Sequence, residues 1–88
     1  MIFLANFYNT YTELAKNPLY IVGRSYGGHW APALTARLVE TGYKVNNTIQ
    51  LNVKGMIIAD GLMNPGAQSE WADYIYTGGV TDRHYRDL

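Results

Sequence analysis

One serine in this chain is set out for chemistry. Ser25 lies in the run Gly23-Arg24-Ser25-Tyr26-Gly27, and Gly-x-Ser-x-Gly is the pattern of a serine carried on a sharp turn between a strand and a helix. Such a turn holds the hydroxyl out for attack on a carbonyl carbon. The glycines are expected because side chains on either flank would crowd a strained turn. At the start of a helix the serine also lies beside unpaired N–H groups, which stabilise a developing oxyanion.

A serine hydroxyl is a poor nucleophile at neutral pH without a base, so the other titratable residues matter. His29 lies four residues beyond Ser25 on the expected helix, where its ring does not reach the hydroxyl in triad geometry; it reads as structural. His84 follows a glycine pair and reads as solvent-facing. No set among His29, His84, Asp60, Asp73 and Asp82 has the close spacing of a zinc site, and nothing in the chain calls for a cofactor.

The elements that would position Ser25 are legible on both sides. Leu19-Tyr20-Ile21-Val22 is a short apolar run suited to a buried parallel strand, and the stretch from His29 to Glu40 suits a helix. Upstream, Phe3, Phe7, Tyr11 and Leu14 fall on one face of a first helix, widened by Leu4, Tyr8 and Ala15. Asn17-Pro18 stops that helix, since the residue before proline avoids the α region. In the second helix Ala31, Leu34 and Leu38 form a stripe, and Gly42 suits the C-terminal cap. Pro32 predicts a distorted start at the turn that becomes regular only beyond the proline.

Tyr43 to Gln50 reads as a polar loop and Leu51 to Ala59 as the next strand, a parallel crossover unit. Asp60 to Gln68 reads as a turn region in which Asp60-Gly61 and Asn64-Pro65 supply turn chemistry. A short helix is expected around Ser69 to Tyr76, then a helical turn near Asp82 to Arg86. Trp30, Trp71, Tyr74 and Tyr76 read as core aromatics rather than as the lining of a substrate pocket.

Eighty-eight residues make a marginal core. A hydrophobic content of 48% with 16% charged residues is that of a globular chain rather than a disordered one. A formal net charge of zero steers the chain toward neither nucleic acid nor an anionic membrane. No apolar run approaches the roughly 20 residues of a membrane span. With no cysteine, the segment holds neither a disulfide framework nor a thiolate metal site. Asn46-Asn47-Thr48 is a glycosylation sequon, placing a candidate modification at Asn46.

The stretch from Ile21 to Ala33, Ile-Val-Gly-Arg-Ser-Tyr-Gly-Gly-His-Trp-Ala-Pro-Ala, resembles the nucleophile segment of the serine carboxypeptidases. That family has a Gly-Glu-Ser-Tyr-Ala/Gly-Gly core followed by His or Lys, an aromatic residue and a Pro-Ala pair. The resemblance extends upstream through Phe3 to Phe7 and Asn17 to Ile21. Downstream it continues through Leu51 to Leu62, where the Asp60-Gly61 turn is most similar to the vitellogenic carboxypeptidase-like branch. Asn64-Pro65 stands where the family has Asp-Pro, and Tyr74-Ile75-Tyr76 begins a further likeness.

The resemblance implies a fold class and a chemistry. The fold is α/β, with residues 1–88 forming part of an α/β-hydrolase domain: helix, strand, nucleophile turn, helix and parallel strand. Ser25 would be the nucleophile of a Ser–Asp–His triad that hydrolyses the C-terminal peptide bond through an acyl-enzyme. The Tyr26 N–H would be one oxyanion donor; the second donor and the triad Asp and His would come from outside this segment. Some other α/β-hydrolases carry their acid where Asp60 stands, but in the resembling family that position is a structural turn. The expected substrates are peptides or proteins with a free C-terminus, and the expected setting is secreted or lysosomal. The remainder of the hydrolase domain would be needed to cover the strands, and the missing signal peptide would fit the loss of an N-terminal part.

Arg24 departs from the resemblance. The family has Glu there, and that Glu helps hold the substrate's terminal carboxylate, best when protonated. Arg offers a permanent charge and a fork of donors. It either pairs with the terminal carboxylate and moves the working range toward neutral pH, or it disrupts the pocket. Two rival readings remain at this level: a non-catalytic homologue with a binding or structural role, and an esterase or acyltransferase on the same scaffold.

Overall fold

The computed structural model describes residues 1–87. Helix α1 runs over Ile2–Thr10, and a 3-10 turn covers Thr12–Lys16. Strand β1 (Pro18–Arg24) leads into helix α2 (Gly27–Glu40), followed by the two-residue strands β2 (Lys44–Val45) and β3 (Ile49–Gln50). Strand β4 (Asn52–Ala59) is followed by three short helices, α3 (Pro65–Gln68), α4 (Ala72–Thr77) and α5 (Arg83–Arg86).

Strands β1 and β4 pair in parallel, with Val22 opposite Ile57 and Arg24 opposite Ala59, and the register shifts once between Leu19 and Tyr20. Parallel neighbours need a crossover connection, and α2 supplies it by packing on one face of the pair. Alternation along β1 buries Ile21 and Gly23 beneath α2 and leaves Tyr20, Val22 and Arg24 exposed. The outer face is apolar and open: Val22 is 64% and Ile57 52% exposed.

The core is correspondingly small. Tyr8, Ile21, Ala31, Leu38, Val45 and Leu51 are buried, with Leu4, Phe7, Leu34 and Val53 among the residues packed against them. Leu38 and Val45 are completely enclosed. Hydrogen bonds tie the periphery to this cluster, from the Leu51 N–H to the Tyr43 carbonyl (2.9 Å) and from the Asn52 side-chain amide to the Lys16 carbonyl (3.2 Å). The radius of gyration is 19.4 Å, against about 12 Å for a compact domain of this length.

Several expectations change in detail. The first helix breaks at Tyr11 (φ −117°, ψ 64°), so the single stripe through Phe3, Phe7, Tyr11 and Leu14 does not form. Tyr8 becomes the buried anchor, while Phe3, Tyr11 and Leu14 are exposed. Helix α2 is α-helical from Gly27 onward with Pro32 inside it, not distorted up to the proline. Pro32 stands in the second turn, where its missing N–H costs the helix one bond.

The end of α2 is as expected. Gly42 takes φ 63°, the Gly42 N–H reaches the Val39 carbonyl (3.0 Å) and the Tyr43 N–H the Leu38 carbonyl (2.7 Å). This pair of bonds is a Schellman cap.

The polar loop from Tyr43 to Gln50 proves to be a small antiparallel hairpin, Val45 pairing with Ile49. Asn46 and Asn47 turn it with φ 53° and 57°, values that Asn tolerates better than most residues. The helix expected from Ser69 begins only at Ala72, and an extra turn forms at Pro65–Gln68. There Asn64 caps the Ala67 N–H, with proline at the first helical position. The expected core aromatics are corrected as well. Trp30, Trp71 and Tyr74 are 68%, 60% and 74% exposed, because no other layer lies over them in this segment. Tyr76 is half-buried and lies under the Arg86 guanidinium, 4.8 Å from the ring centroid.

Candidate active site

Ser25 stands between the last residue of β1 and the start of α2 with φ 54°. A β-carbon in the left-handed region costs about 1–2 kcal/mol, so the neighbours must hold the turn in place. They do so through the backbone. The Ser25 N–H donates to the Ala59 carbonyl (3.2 Å), and the Ser25 carbonyl accepts from Gly28 (3.0 Å) and Leu62 (2.9 Å). The two main-chain groups of Ser25 are thus tied to the last residue of β4 and to the loop that follows it, and the residue is left exposed.

The glycines divide differently from the motif. A β-carbon on Gly23 would lie 2.8 Å from the Ala31 β-carbon, and one on Gly28 would lie 2.8 Å from the backbone of Gly61 and Leu62. A β-carbon on Gly27 would meet nothing within 4 Å. Crowding therefore acts at Gly23 as the pattern predicts. On the other flank it acts one residue further on, at Gly28, where α2 passes backbone-to-backbone over the turn after β4.

Tyr26 begins the helix in α conformation (φ −62°, ψ −17°). The bonds that close the turn use the amides of Ser25, Gly28 and His29; those of Tyr26 and Gly27 are in none of them. The Tyr26 ring stacks on His29 at 4.7 Å and 5°, and meets Trp30 edge-on at 5.3 Å. The Nδ1 atom of His29 is buried with no hydrogen-bond partner among the described residues, so it is not bonded to the Ser25 hydroxyl. His29 acts as an aromatic shelf for Tyr26. His84 is exposed on α5, as expected.

Arg24 is exposed at the end of β1 on the face away from α2. It borders a cleft of about 300 Å³ lined also by Val22, Gly27, Trp30 and Leu34. A second cleft of about 590 Å³ lies beyond β4, lined by Asp60, Leu62, Gln68 and Trp71 among others. Asp60 is exposed in left-handed conformation (φ 45°), a turn residue in geometry. Asn46 is exposed at the hairpin tip, where a sequon asparagine is accessible.

Gln68 went unnoticed in the sequence. Its Oε1 accepts from the Met63 and Asn64 N–H groups (2.8 Å each) and its Nε2 donates to the Gly61 carbonyl (2.9 Å). The only signal was the Asn64-Pro65 helix start with an amide side chain one turn later.

A left-handed, exposed serine between a parallel strand and a helix N-terminus defines the class: an α/β protein with a nucleophile-elbow turn. The family model for serine carboxypeptidases matches residues 1–88, and the chain belongs to that family. It is 35% identical to a venom serine carboxypeptidase of Apis mellifera over 97% of this chain and 18% of the relative. It is 42% identical to serine carboxypeptidase 3 of Oryza sativa subsp. japonica over 82% of this chain and 14% of the relative. With the vitellogenic carboxypeptidase of Aedes aegypti it shares 34% identity over 98% of this chain and 17% of the relative. The chain spans less than a fifth of the length of these relatives.

Proposed function

We propose that residues 1–88 are the nucleophile-bearing part of an α/β-hydrolase domain in a serine-type carboxypeptidase. In the whole protein Ser25 attacks the last peptide carbonyl of a substrate with a free C-terminus. Its proton passes to a base outside this segment, the amine leaves, and water then hydrolyses the acyl-enzyme. The Tyr26 N–H is one of the donors to the tetrahedral oxyanion. The observation that carries this reading is the elbow itself: an exposed serine held at φ 54° beside helix amides that the turn does not use.

The open outer face of β1 and β4 supports the rest of the proposal, that further strands and helices cover this pair. Parallel sheets are stable when both faces are buried. Arg24, which precedes Ser25 and borders the cleft shared with Val22 and Trp30, is proposed to hold the terminal carboxylate of the substrate. Asn46 is proposed to carry a glycan, in keeping with a secreted or lysosomal setting.

The test is made on the protein isolated from its natural source. A fluorophosphonate should label Ser25, and the same preparation should release free amino acids from amino-blocked dipeptides. Labelling without amino-acid release would point to an esterase or acyltransferase. No labelling of Ser25 would leave a non-catalytic homologue.

A further inference from the structure

We infer that Gln68 is a positioning residue for the Ser25 turn, acting through the loop from Gly61 to Asn64. The inference rests on Ser25 being the nucleophile. The loop lies between β4 and α3 and has no regular secondary structure, yet it makes two of the contacts that hold the turn. The Leu62 N–H donates to the Ser25 carbonyl at 2.9 Å, and the Gly61–Leu62 backbone packs so close to Gly28 that a β-carbon there would sit 2.8 Å away.

Gln68 fastens both ends of this loop. Its Oε1 takes the Met63 and Asn64 N–H groups, and its Nε2 reaches back to the Gly61 carbonyl. Leu62, which touches Ser25, lies between the fastened residues. A primary amide is the side-chain group that can accept two bonds at one atom and donate at the next. A carboxylate keeps the acceptors and loses the donor, and a thioether of similar length makes none of the three well.

Gln68 is exposed, so its bonds compete with water and add little to global stability. Their effect is local. A strained residue keeps its conformation only while its surroundings over-determine it, and a small displacement of a reacting group is enough to slow catalysis severely. Loosening the loop therefore lowers the rate at Ser25 without removing any group that binds substrate.

The experiment compares the full-length protein with its Gln68→Met and Gln68→Glu variants. Three readouts are taken: the rate of Ser25 labelling by a fluorophosphonate, kcat and KM on a blocked dipeptide, and hydrogen exchange at the Leu62 amide. Gln68→Met is expected to lower the labelling rate and kcat about tenfold with KM unchanged, and to speed exchange at Leu62. Gln68→Glu should fall between it and the natural protein. Should Gln68→Met fail to fold, Gln68→Glu carries the comparison, with a smaller loss in the same direction. Unchanged labelling rates, or a loss that only follows the folded fraction, would overturn the inference. If the natural protein is not labelled at Ser25, the nucleophile reading fails instead, and unchanged Leu62 exchange in the variants overturns the loop latch on its own.

Discussion

Ser25 and Asp60 occupy equivalent places at the ends of two paired parallel strands, and both turn into the left-handed region, with φ 54° and 45°. Register runs from Arg24 opposite Ala59 into this pair, and the Ser25 N–H closes on the Ala59 carbonyl. The two residues serve different ends. At Ser25 the left-handed bend lifts a hydroxyl beside the helix amides; at Asp60 it redirects the chain so that Gly61 and Leu62 pass beneath Gly28.

If Asp60 is a turn residue, its charge is dispensable and its tolerance of positive φ is not. Asparagine shares that tolerance. In the full-length protein Asp60→Asn should leave kcat and Ser25 labelling unchanged, whereas Asp60→Val should lose about 1–2 kcal/mol of stability. A collapse of kcat in Asp60→Asn, with folding intact, would make Asp60 the catalytic acid.

The two glycines after Tyr26 make a matched pair. Gly28→Ala places a methyl 2.8 Å from the Gly61–Leu62 backbone, and overpacking of this kind costs about 1–3 kcal/mol. Gly27→Ala meets nothing within 4 Å and replaces a poor helix former, a gain of up to about 1 kcal/mol. Denaturant midpoints of the two variants should move in opposite directions. Equal shifts would contradict the close approach of α2 to the loop.

Arg24 bears on pH. A carboxyl group at this position would have to be protonated to sit beside a substrate carboxylate, so its contribution fades as pH rises through the carboxylate range. A guanidinium keeps its charge throughout. Arg24→Glu should therefore raise KM progressively from acid to neutral pH, with kcat less affected. If the pH profile and the preference for free C-termini are unchanged by Arg24→Glu, Arg24 does not bind the carboxylate.

Asn46 is exposed where the hairpin turns. Expression through a secretory route should give a species whose mass falls on treatment with an N-glycosidase, and Thr48→Ala should abolish that fall. Thr48→Ala is preferable to a change at Asn46, whose φ of 53° disfavours most replacements.

Much of the site was legible because it depends on local chemistry. Leu19 to Val22 is apolar with β-branched residues and is followed at once by Gly23, so strand and turn could be read together. Gly42 marked the helix end because a left-handed cap favours glycine. Val45 was not legible: it looks like one apolar residue in a polar loop, and only its position against Leu38 and Leu51 makes it core. Tyr11 was read as helical because spacing alone does not reveal where a helix yields to a 3-10 turn. Trp30, Trp71 and Tyr74 were read inward because aromatic residues at helical spacing are usually core, yet burial requires a covering layer that this segment does not contain.

By itself, the sequence determined which serine sits on the turn between strand and helix, which elements flank it and which family the chain belongs to. These are properties of neighbours along the chain: a glycine pattern, an apolar run, a proline before a strand. Tertiary structure alone decided that Gly28 rather than Gly27 must be bare, that Leu62 holds the Ser25 carbonyl and that Gln68 fastens the loop carrying Leu62. The reason is physical. Those roles depend on the distance between backbones that meet only when β4 pairs with β1, and no residue type or spacing within either segment encodes that distance.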